Sequence, residues 1–198
     1  MNIRLSILLT FLGFAQLSYS QLVFKPIFQQ IAPEKFGVDR AYAQVFAKDG
    51  SLWAASEDGL LHYNGYSTKH FRHIPGDTNS VLDNTIFNLF QSSTGDFYIG
   101  YINVSGFTKY NPITGKFTHY RPDTNNRENS FPEVQIVNYK EDDQGNIWIL
   151  TWGRGLVKFN PKTEKFKIYD VIKLFKNSTM IYLFLIRWTR IILLSHFQ

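Results

Sequence analysis

Short apolar and aromatic stretches, separated by turn residues, recur along the chain between residues 24 and 170. In the last copy, Ile147-Trp148-Ile149 follows the turn sequence Asp143-Gln144-Gly145-Asn146, and Gly153-Arg154-Gly155 interrupts the next extended segment. Gly145 suits the positive φ that such a turn requires. β-Branched and aromatic residues favour strands, and the stretch has no 3.6-residue period. Each copy therefore predicts strands joined by tight turns.

The same unit occurs three times. Its turn glycines, Gly50, Gly95 and Gly145, lie 45 and 50 residues apart. An apolar segment precedes each turn and would supply the innermost strand of the unit, at 42–47, 86–91 and 134–140. Strands and turns that repeat at this period predict an all-β protein, a β-propeller with one blade of four antiparallel strands per repeat.

Three blades are fewer than a closed ring needs, so we expect an incomplete, open arc. The predicted blades span 34–73, 80–121 and 131–170, and residues 21–33 form an N-terminal strand of the ring-closing type. The apolar inner-strand residues, Tyr42 and Phe87 among them, are expected to pack between blades. At the C-terminal end, Ile147, Trp148 and Ile149 are expected to contribute to an apolar face that no further blade covers.

Two segments, GDFYIGYINVSGFTKYNPITGKFTHY and GNIWILTWGRGLVKFNPKTEKF, resemble the two-component-regulator propeller repeat. That repeat builds the periplasmic sensor regions of hybrid sensor histidine kinases. The resemblance implies a ligand-sensing propeller whose partners are an extracellular small molecule or oligosaccharide and the remaining blades of a longer sensor. It implies no histidine kinase activity in this chain, because kinase, receiver and DNA-binding sequences are absent. Ala54-Ala55 and Leu150 depart from the Ile-Gly or Gly of the repeat.

The two ends differ from the repeats. Residues 1–20 have the positive start, apolar core and small residues at Ser18 and Ser20 of a signal peptide, which predicts a periplasmic protein; an uncleaved N-terminal anchor is the alternative. Residues 171–198 form a hydrophobic, basic tail without the blade pattern, which indicates a frameshift or truncation. A short membrane anchor over 180–194 is the other interpretation, although Arg187 and Arg190 would each cost about 2.5–3.5 kcal/mol near a helix centre.

The net charge of +5 comes from the ends of the chain. Residues 21–170 contain 16 Lys and Arg and 16 Asp and Glu, so the predicted blades are formally neutral. This balance argues against nucleic acid as a partner. The chain has no cysteine, which excludes disulfides and thiolate chemistry.

Chain direction assigns the loops to two faces of the propeller. Inner strands lead from the top face to the hairpins at Gly50, Gly95 and Gly145 on the bottom face, and the linkers 73–83 and 121–132 lie on the top face. The connection 152–155 also lies there and carries the two candidate ligand-binding residues, Trp152 and Arg154. A Trp beside an Arg suits stacking on a sugar ring or gripping an anionic group. The alternative is that Trp152 packs on the next blade and Arg154 is solvated.

Residues for catalysis or metal binding do not form a recognisable pattern. His70 and His73 would face opposite sides of a strand, the acidic turn at 141–146 lacks EF-hand spacing, and no nucleophile motif occurs. We therefore expect no catalytic residue, no metal and no cofactor. The competing hypothesis is a fragment of a secreted propeller enzyme, a lyase or a glycoside hydrolase. Convergent acid, His or Tyr side chains on the top face would favour the enzyme, whereas aromatic residues with few titratable groups would favour the sensor.

Overall fold

The computed structural model describes residues 37–126 and 130–169. The predicted signal peptide, N-terminal strand and C-terminal tail lie outside these residues. The described part is all-β and contains twelve strands: β1 Ala41–Phe46, β2 Leu52–Ser56, β3 Gly59–Tyr63, β4 Thr68–Phe71, β5 Ile86–Gln91, β6 Phe97–Tyr101, β7 Phe107–Asn111, β8 Lys116–Tyr120, β9 Ile136–Glu141, β10 Ile147–Thr151, β11 Gly155–Asn160 and β12 Lys165–Tyr169. Within it, no helix is long and apolar enough to cross a membrane.

The strands form three four-stranded antiparallel sheets in the orders β1-β2-β3-β4, β5-β6-β7-β8 and β9-β10-β11-β12. Each sheet is one blade, and the first strands of successive blades pack against one another. This arrangement confirms the predicted fold class, with one inner strand before each turn glycine and three strands after it. The inner strands of the first and third blades begin and end within two residues of the predicted bounds.

An asparagine shapes the same outer turn in every blade. The Asn64 side-chain oxygen accepts hydrogen bonds from the backbone N–H groups of Tyr66 and Ser67. Asn111 and Asn160 accept the corresponding pairs of bonds in the second and third blades. An Asn side chain that caps its own turn in this way replaces a missing backbone partner. The three outer turns therefore share one construction.

Two apolar clusters hold the blades together, one between the first and second blades and one between the second and third. We call the side of a blade that is turned toward the next blade in the chain its forward face. Trp53 lies on the forward face of the first blade, stacks on His62 at 4.1 Å and meets Phe97 at 4.5 Å. Tyr98, at the same distance from its turn glycine, lies in the second cluster and meets Phe159 of the third blade at 6.4 Å. No cluster in the described ranges joins the first blade to the third, so these blades form an open arc.

The expectation that Ile147, Trp148 and Ile149 share one uncovered face was wrong for the two isoleucines. Successive side chains of a strand point to opposite faces of the sheet. Ile147 and Ile149 are fully buried in the cluster with the second blade. Trp148 alone lies on the forward face of the third blade, where its ring is 5.3 Å from that of Tyr169 and its indole N–H donates to Asp142.

Hydrogen bonds link the bottom hairpins of all three blades. Lys48 Nζ donates to the backbone oxygen of Ser93 at 2.5 Å. The N–H and hydroxyl of Ser93 both donate to the Glu141 carboxylate, at 2.5 and 2.6 Å. The hairpins that carry Gly50, Gly95 and Gly145 therefore lie at the same end of their blades, as the chain direction predicts.

Candidate functional site

The top face is built where one blade's connection meets the start of the next inner strand. The Gly59 N–H donates to the Asn84 backbone oxygen at 2.7 Å, and the Gln135 side chain donates to the Ile102 oxygen at 2.8 Å. In the third blade, the Trp152 N–H donates to the backbone oxygen of Gln135 at 2.9 Å. This last bond fixes Trp152 beside the beginning of β9.

Trp152 and Arg154 lie in different surroundings within the same connection. The Trp152 side chain is 76% exposed, so it does not pack on another blade here. Arg154 is exposed and lines a cavity of about 390 Å³ between the 121–133 linker and the third blade. Arg154 therefore belongs to a concave surface, and the packing of Trp152 on a further blade stays an alternative, because a blade that would follow the third lies outside the described residues.

The cavity is polar and charged as well as apolar. Apart from Arg154, it is lined by Pro122, Asp123, Thr124, Ser130, Phe131, Pro132, Glu133 and Ile168. Phe131 is buried and anchors the linker among the aromatic rings of the second cluster. Asp123 accepts a hydrogen bond from the Asn125 N–H at 2.8 Å, which shapes the linker at the rim. A guanidinium and two carboxylates on one small surface can bind a polar ligand through charge-assisted hydrogen bonds.

Three further residues, which the sequence assigned to other roles, lie at bulges of the inner strands. The pairing of each inner strand skips one residue near its top end, at Tyr42, Phe87 and Val137. Tyr42 and Phe87 are 38% and 43% exposed, and their ring centroids lie 5.5 Å apart across the first and second blades, so they pack between blades as expected while remaining partly exposed. A bulge leaves its extra residue outside the regular alternation and often re-aims a side chain at a functional site. Hydrophobic pattern alone does not reveal the skipped residue.

Hydrogen bonds connect a half-buried histidine of the second blade to the linker 73–83. His119 Nε2 lies 3.0 Å from the Thr78 backbone oxygen, and Nδ1 lies 2.9 Å from the Thr108 hydroxyl. A carbonyl only accepts, so Nε2 carries the hydrogen and the Thr108 hydroxyl donates to Nδ1. The buried Tyr101 hydroxyl, 2.7 Å away, then donates to Thr108 and accepts the Leu82 N–H. When His119 is neutral, the Tyr101 and Thr108 hydroxyls therefore each accept one hydrogen bond and donate the next one toward the imidazole.

Burial lowers the pKa of His119, and the charges of Arg121 and His73 lower it further, while the Thr78 carbonyl acts in the opposite direction. Burial likewise lowers the pKa of His62, which is stacked on Trp53. These shifts favour neutral imidazoles inside the blades. In residues 37–126 and 130–169, no three His, Cys, Asp or Glu side chains are grouped as metal ligands.

Comparison with known proteins gives structural matches only. No family model and no curated protein matches the chain. The extracellular domain of BT3049, a hybrid two-component system protein of B. thetaiotaomicron, superposes with a TM-score of 0.65 at 20% identity, over 72% of this chain and 20% of that one. Virginiamycin B lyase from Staphylococcus aureus gives a TM-score of 0.52 at 13% identity, over 66% and 41% of the two chains. PorZ of the Porphyromonas gingivalis type-IX secretion system gives 0.51 at 16% identity, over 70% and 22%.

These similarities establish the fold as that of propeller blades. The region matched spans about a fifth of the BT3049 domain. BT3049 is a hybrid two-component system protein, the class of protein that the repeats resemble. The lyase has the same fold, so fold alone does not separate a sensor from an enzyme.

Proposed function

We propose that this chain is the N-terminal part of an exported, ligand-sensing β-propeller of a two-component signalling protein, and that it is itself non-catalytic. Its blades would hold an extracellular ligand, and the remaining blades of a longer sensor would complete the ring. The transmitting kinase would lie in another part of that sensor. The signal peptide at residues 1–20 would direct the blades to the periplasm.

One observation carries this proposal: the top face exposes aromatic side chains on a fold shared with the extracellular domain of BT3049. Trp152 is held at the top of the third blade by its backbone bond to Gln135, and Tyr42 and Phe87 are exposed at inner-strand bulges. Exposed aromatic rings on a rigid scaffold are typical of recognition surfaces. The loops and linkers that carry function in such scaffolds meet at this face.

The enzyme hypothesis rests on a different part of the same face. Asp123, Glu133 and Arg154 line one cavity, and two carboxylates are the minimum set for acid–base hydrolysis of a glycoside. If the chain is an enzyme fragment, purified protein incubated with oligosaccharides will release shorter products detectable by mass spectrometry. Asp123→Asn or Glu133→Gln would abolish that release.

The signalling proposal is tested in the source organism. The gene is deleted, and transcripts are compared with those of the parent strain after growth on single polysaccharides. We expect one group of polysaccharide-use genes to lose its induction, and the intact gene supplied in trans to restore it. Unchanged transcription on every polysaccharide would contradict a sensor of this kind, and product release by the purified chain would favour the enzyme.

The kinase part of the proposal has a separate test. The purified chain, incubated with labelled ATP, is expected to incorporate no phosphate, because it holds neither a phosphoacceptor helix nor an ATP-binding domain in its propeller sequence. Autophosphorylation of the chain would contradict its proposed role as the sensing part alone.

A further inference from the structure

The forward faces of the three blades differ in charge. Residues that lie directly opposite one another in antiparallel strands share a face of the sheet, so the pairing register shows which side chains accompany the forward-face aromatic residue. In the first and second blades, the row through Trp53 or Tyr98 contains a single lysine, Lys69 or Lys109. In the third blade, the row through Trp148 contains three lysines, one from each of the other strands: Lys140, Lys158 and Lys167.

One carboxylate of the third blade offsets part of this charge. Asp142 Oδ2 accepts a hydrogen bond from the Trp148 indole N–H at 2.9 Å and lies 3.6 Å from Lys158 Nζ. Within residues 37–126 and 130–169, no carboxylate pairs with Lys140 or Lys167. Three lysines against one aspartate leave an excess of two positive charges. Because burying an unpaired ammonium group is costly, a partner that covers this face has to bring negative charge to it.

The interface between the second and third blades shows where such a negative charge lies. The Tyr120 hydroxyl donates to Glu164 Oε1 at 2.7 Å, and Lys109 Nζ lies 3.9 Å from the same oxygen. Tyr120 and Lys109 are on the forward face of the second blade, whereas Glu164 belongs to the outer turn of the third. A carboxylate in an outer turn thus reaches back to two donors of the preceding blade.

Glu164 occupies a backbone position that favours glycine. Its φ is 55°, and its N–H donates to the Asn160 oxygen at 2.8 Å. The second blade builds the same turn with Gly115, whose φ is 69° and whose N–H donates to the Asn111 oxygen at 2.9 Å. Left-handed backbone is unfavourable for a residue with a Cβ atom. The contacts of the carboxylate with the preceding blade therefore give a physical reason for a glutamate at this position.

The third blade carries the same pair of donors on its own forward face. Tyr169 occupies the register position of Tyr120, since each lies opposite the residue that directly follows the last glycine of the top connection. Lys158 occupies the position of Lys109, two residues after that opposite residue. The ring of Tyr169 is 5.3 Å from that of Trp148, which places the tyrosine beside the lysine row.

The first interface has neither half of this arrangement. The first blade has His62 and Phe71 at the positions of the lysine and the tyrosine, and the second blade has Gly115 in the turn where the third has a glutamate. In the two interfaces, the lysine–tyrosine pair and the turn carboxylate thus occur together. The pair on the third blade accordingly predicts a carboxylate in the outer turn of the blade that covers it.

This chain itself does not supply that carboxylate. Residues 171–198 contain four Lys and Arg and no Asp or Glu, so this segment would add charge of the same sign. A second copy of the chain would present the back of its first blade, and strands β1–β4 and the outer turn at 64–67 contain no Asp or Glu. A different blade with an acidic outer turn is therefore the occupant that complements this face.

We propose that the forward face of the third blade docks a further propeller blade, of a sequence not present in this chain, whose outer turn places an Asp or Glu carboxylate on Tyr169 and Lys158. Other acidic groups of that blade would offset Lys140 and Lys167. The inference rests on the proposed function, in which the remaining blades of a longer sensor complete the ring. It specifies the chemistry of the blade that lies next to the third.

Site-specific photo-crosslinking in the source organism tests the proposal. A photoreactive amino acid replaces Lys167, which is exposed on the forward face, in the chromosomal copy of the gene, and cross-linked peptides are identified by mass spectrometry. We expect a peptide of a blade repeat absent from this chain, with Asp or Glu four residues after the turn asparagine, as Glu164 follows Asn160. The same amino acid in place of Lys162, in the outer turn of the third blade, is the matched control and should not capture that peptide.

Two variants, each combined with the crosslinker at position 167, test the contacts themselves. Tyr169→Phe removes the hydroxyl donor but keeps the ring beside Trp148, and Lys158→Met removes the ammonium group. Each is expected to lower the yield of that cross-link about threefold or more, because hydrogen bonds to charged groups are stronger than neutral ones. Lys162→Met, which removes an exposed lysine of the outer turn, should leave the yield unchanged.

Cross-links to residues 171–198, to the first blade of a second copy, or to a blade without an acid in that turn would each overturn the proposal. The absence of any cross-link from position 167, or equal yields in the Tyr169, Lys158 and Lys162 variants, would also overturn it. If gene deletion still abolishes polysaccharide induction in any of these cases, the sensing function stands and only the docking proposal fails.

Discussion

A Cβ atom added to Gly100 would lie 3.0 Å from the hydroxyl oxygen of Tyr139 and 3.2 Å from the Cβ of Asn88. Gly100 is in the second strand of the second blade, and Tyr139 is in the inner strand of the third, where it is buried in the cluster between them. The corresponding pair one interface earlier is Ala55 and Leu89, both in the first cluster. A smaller residue on one blade thus accompanies a larger one on the next.

Gly100→Ala should destabilise the fold by about 1–3 kcal/mol, the usual cost of overpacking a core. Gly100 does not have a positive φ, so the lack of space is the cause. The Tyr139 hydroxyl has no hydrogen-bond partner among the described residues. Tyr139→Phe alone should therefore be neutral or stabilising, and it should reduce the cost of Gly100→Ala. Urea unfolding of the four proteins measures this coupling; an equal cost in both backgrounds would contradict it.

Much of the fold could be predicted from the sequence, because the turn glycines and the aromatic residues after them recur at a regular spacing. Trp53, Tyr98 and Trp148 each follow their turn glycine by three residues, and each lies on the forward face of its blade. The direction in which they point was not predictable from one copy. In Ile147-Trp148-Ile149 all three residues are apolar, so composition alone did not indicate which of them face the second blade.

Gly106 and Gly95 provide a matched test of close backbone packing. Both have positive φ, 114° and 92°, but a Cβ on Gly106 would lie 2.5 Å from the backbone oxygen of Tyr120, whereas Gly95 has no atom within 4 Å. Gly95→Ala should cost about 1–2 kcal/mol from backbone strain alone. Gly106→Ala should cost at least about 2 kcal/mol more or prevent folding, as followed by thermal unfolding. Similar losses in the two variants would show that the outer strand yields to the added carbon.

Thr108 connects Tyr101 to His119 inside the second blade. Thr108→Val keeps the shape of the side chain but leaves the Tyr101 hydroxyl without an acceptor and His119 Nδ1 without a donor. We expect a loss of about 1–3 kcal/mol, the cost of buried polar groups left unpaired. Thr118→Val, on the neighbouring strand β8, is the control and should change stability by less than about 0.5 kcal/mol. Equal losses of stability in the Thr108 and Thr118 variants, measured by chemical unfolding, would contradict the hydrogen-bond network.

The protonation of His119 should make the stability depend on pH. Its pKa is lowered in the folded state, chiefly by burial, whereas an unfolded histidine titrates near about 6.5. The unfolded chain therefore binds more protons below that pH, and the free energy of unfolding should fall as the pH decreases from about 7. His62 contributes in the same direction. His119→Gln should weaken the dependence of the free energy of unfolding on pH. His62→Gln should weaken it by a separate amount.

The tautomer of His119 gives a direct check that stability measurements do not. Nitrogen-15 NMR of the imidazole at neutral pH should show the hydrogen on Nε2, because the Thr78 oxygen can only accept. A hydrogen on Nδ1 would contradict the proposed direction of the hydrogen bonds. Unchanged stability between pH 7 and 5, on the other hand, would mean that the folded and unfolded states bind the same number of protons.

The candidate site was less predictable than the fold, for two physical reasons. A bulge adds a residue without changing the hydrophobic character of a strand, and Ile86-Phe87-Asn88-Leu89-Phe90 is compatible with several pairings. The His119 network depends on the linker 73–83 lying against the second blade, a relation between residues about forty positions apart in sequence. Trp152 and Arg154 could be proposed as candidates from local chemistry because both lie in one connection, and their role in ligand binding stays a prediction.

The inner-strand bulges divide the residues of a blade into two classes with different freedom to change. A substitution on a packed face must suit the neighbouring blade, as Gly100 suits Tyr139. Positions 42, 87 and 137 lie outside the regular strand pairing and are only partly buried, although the rings of Tyr42 and Phe87 contact each other, and the three positions already hold side chains as different as tyrosine, phenylalanine and valine. Related chains could therefore diverge at these three positions and acquire new ligand preferences while their blades continue to assemble in the same way.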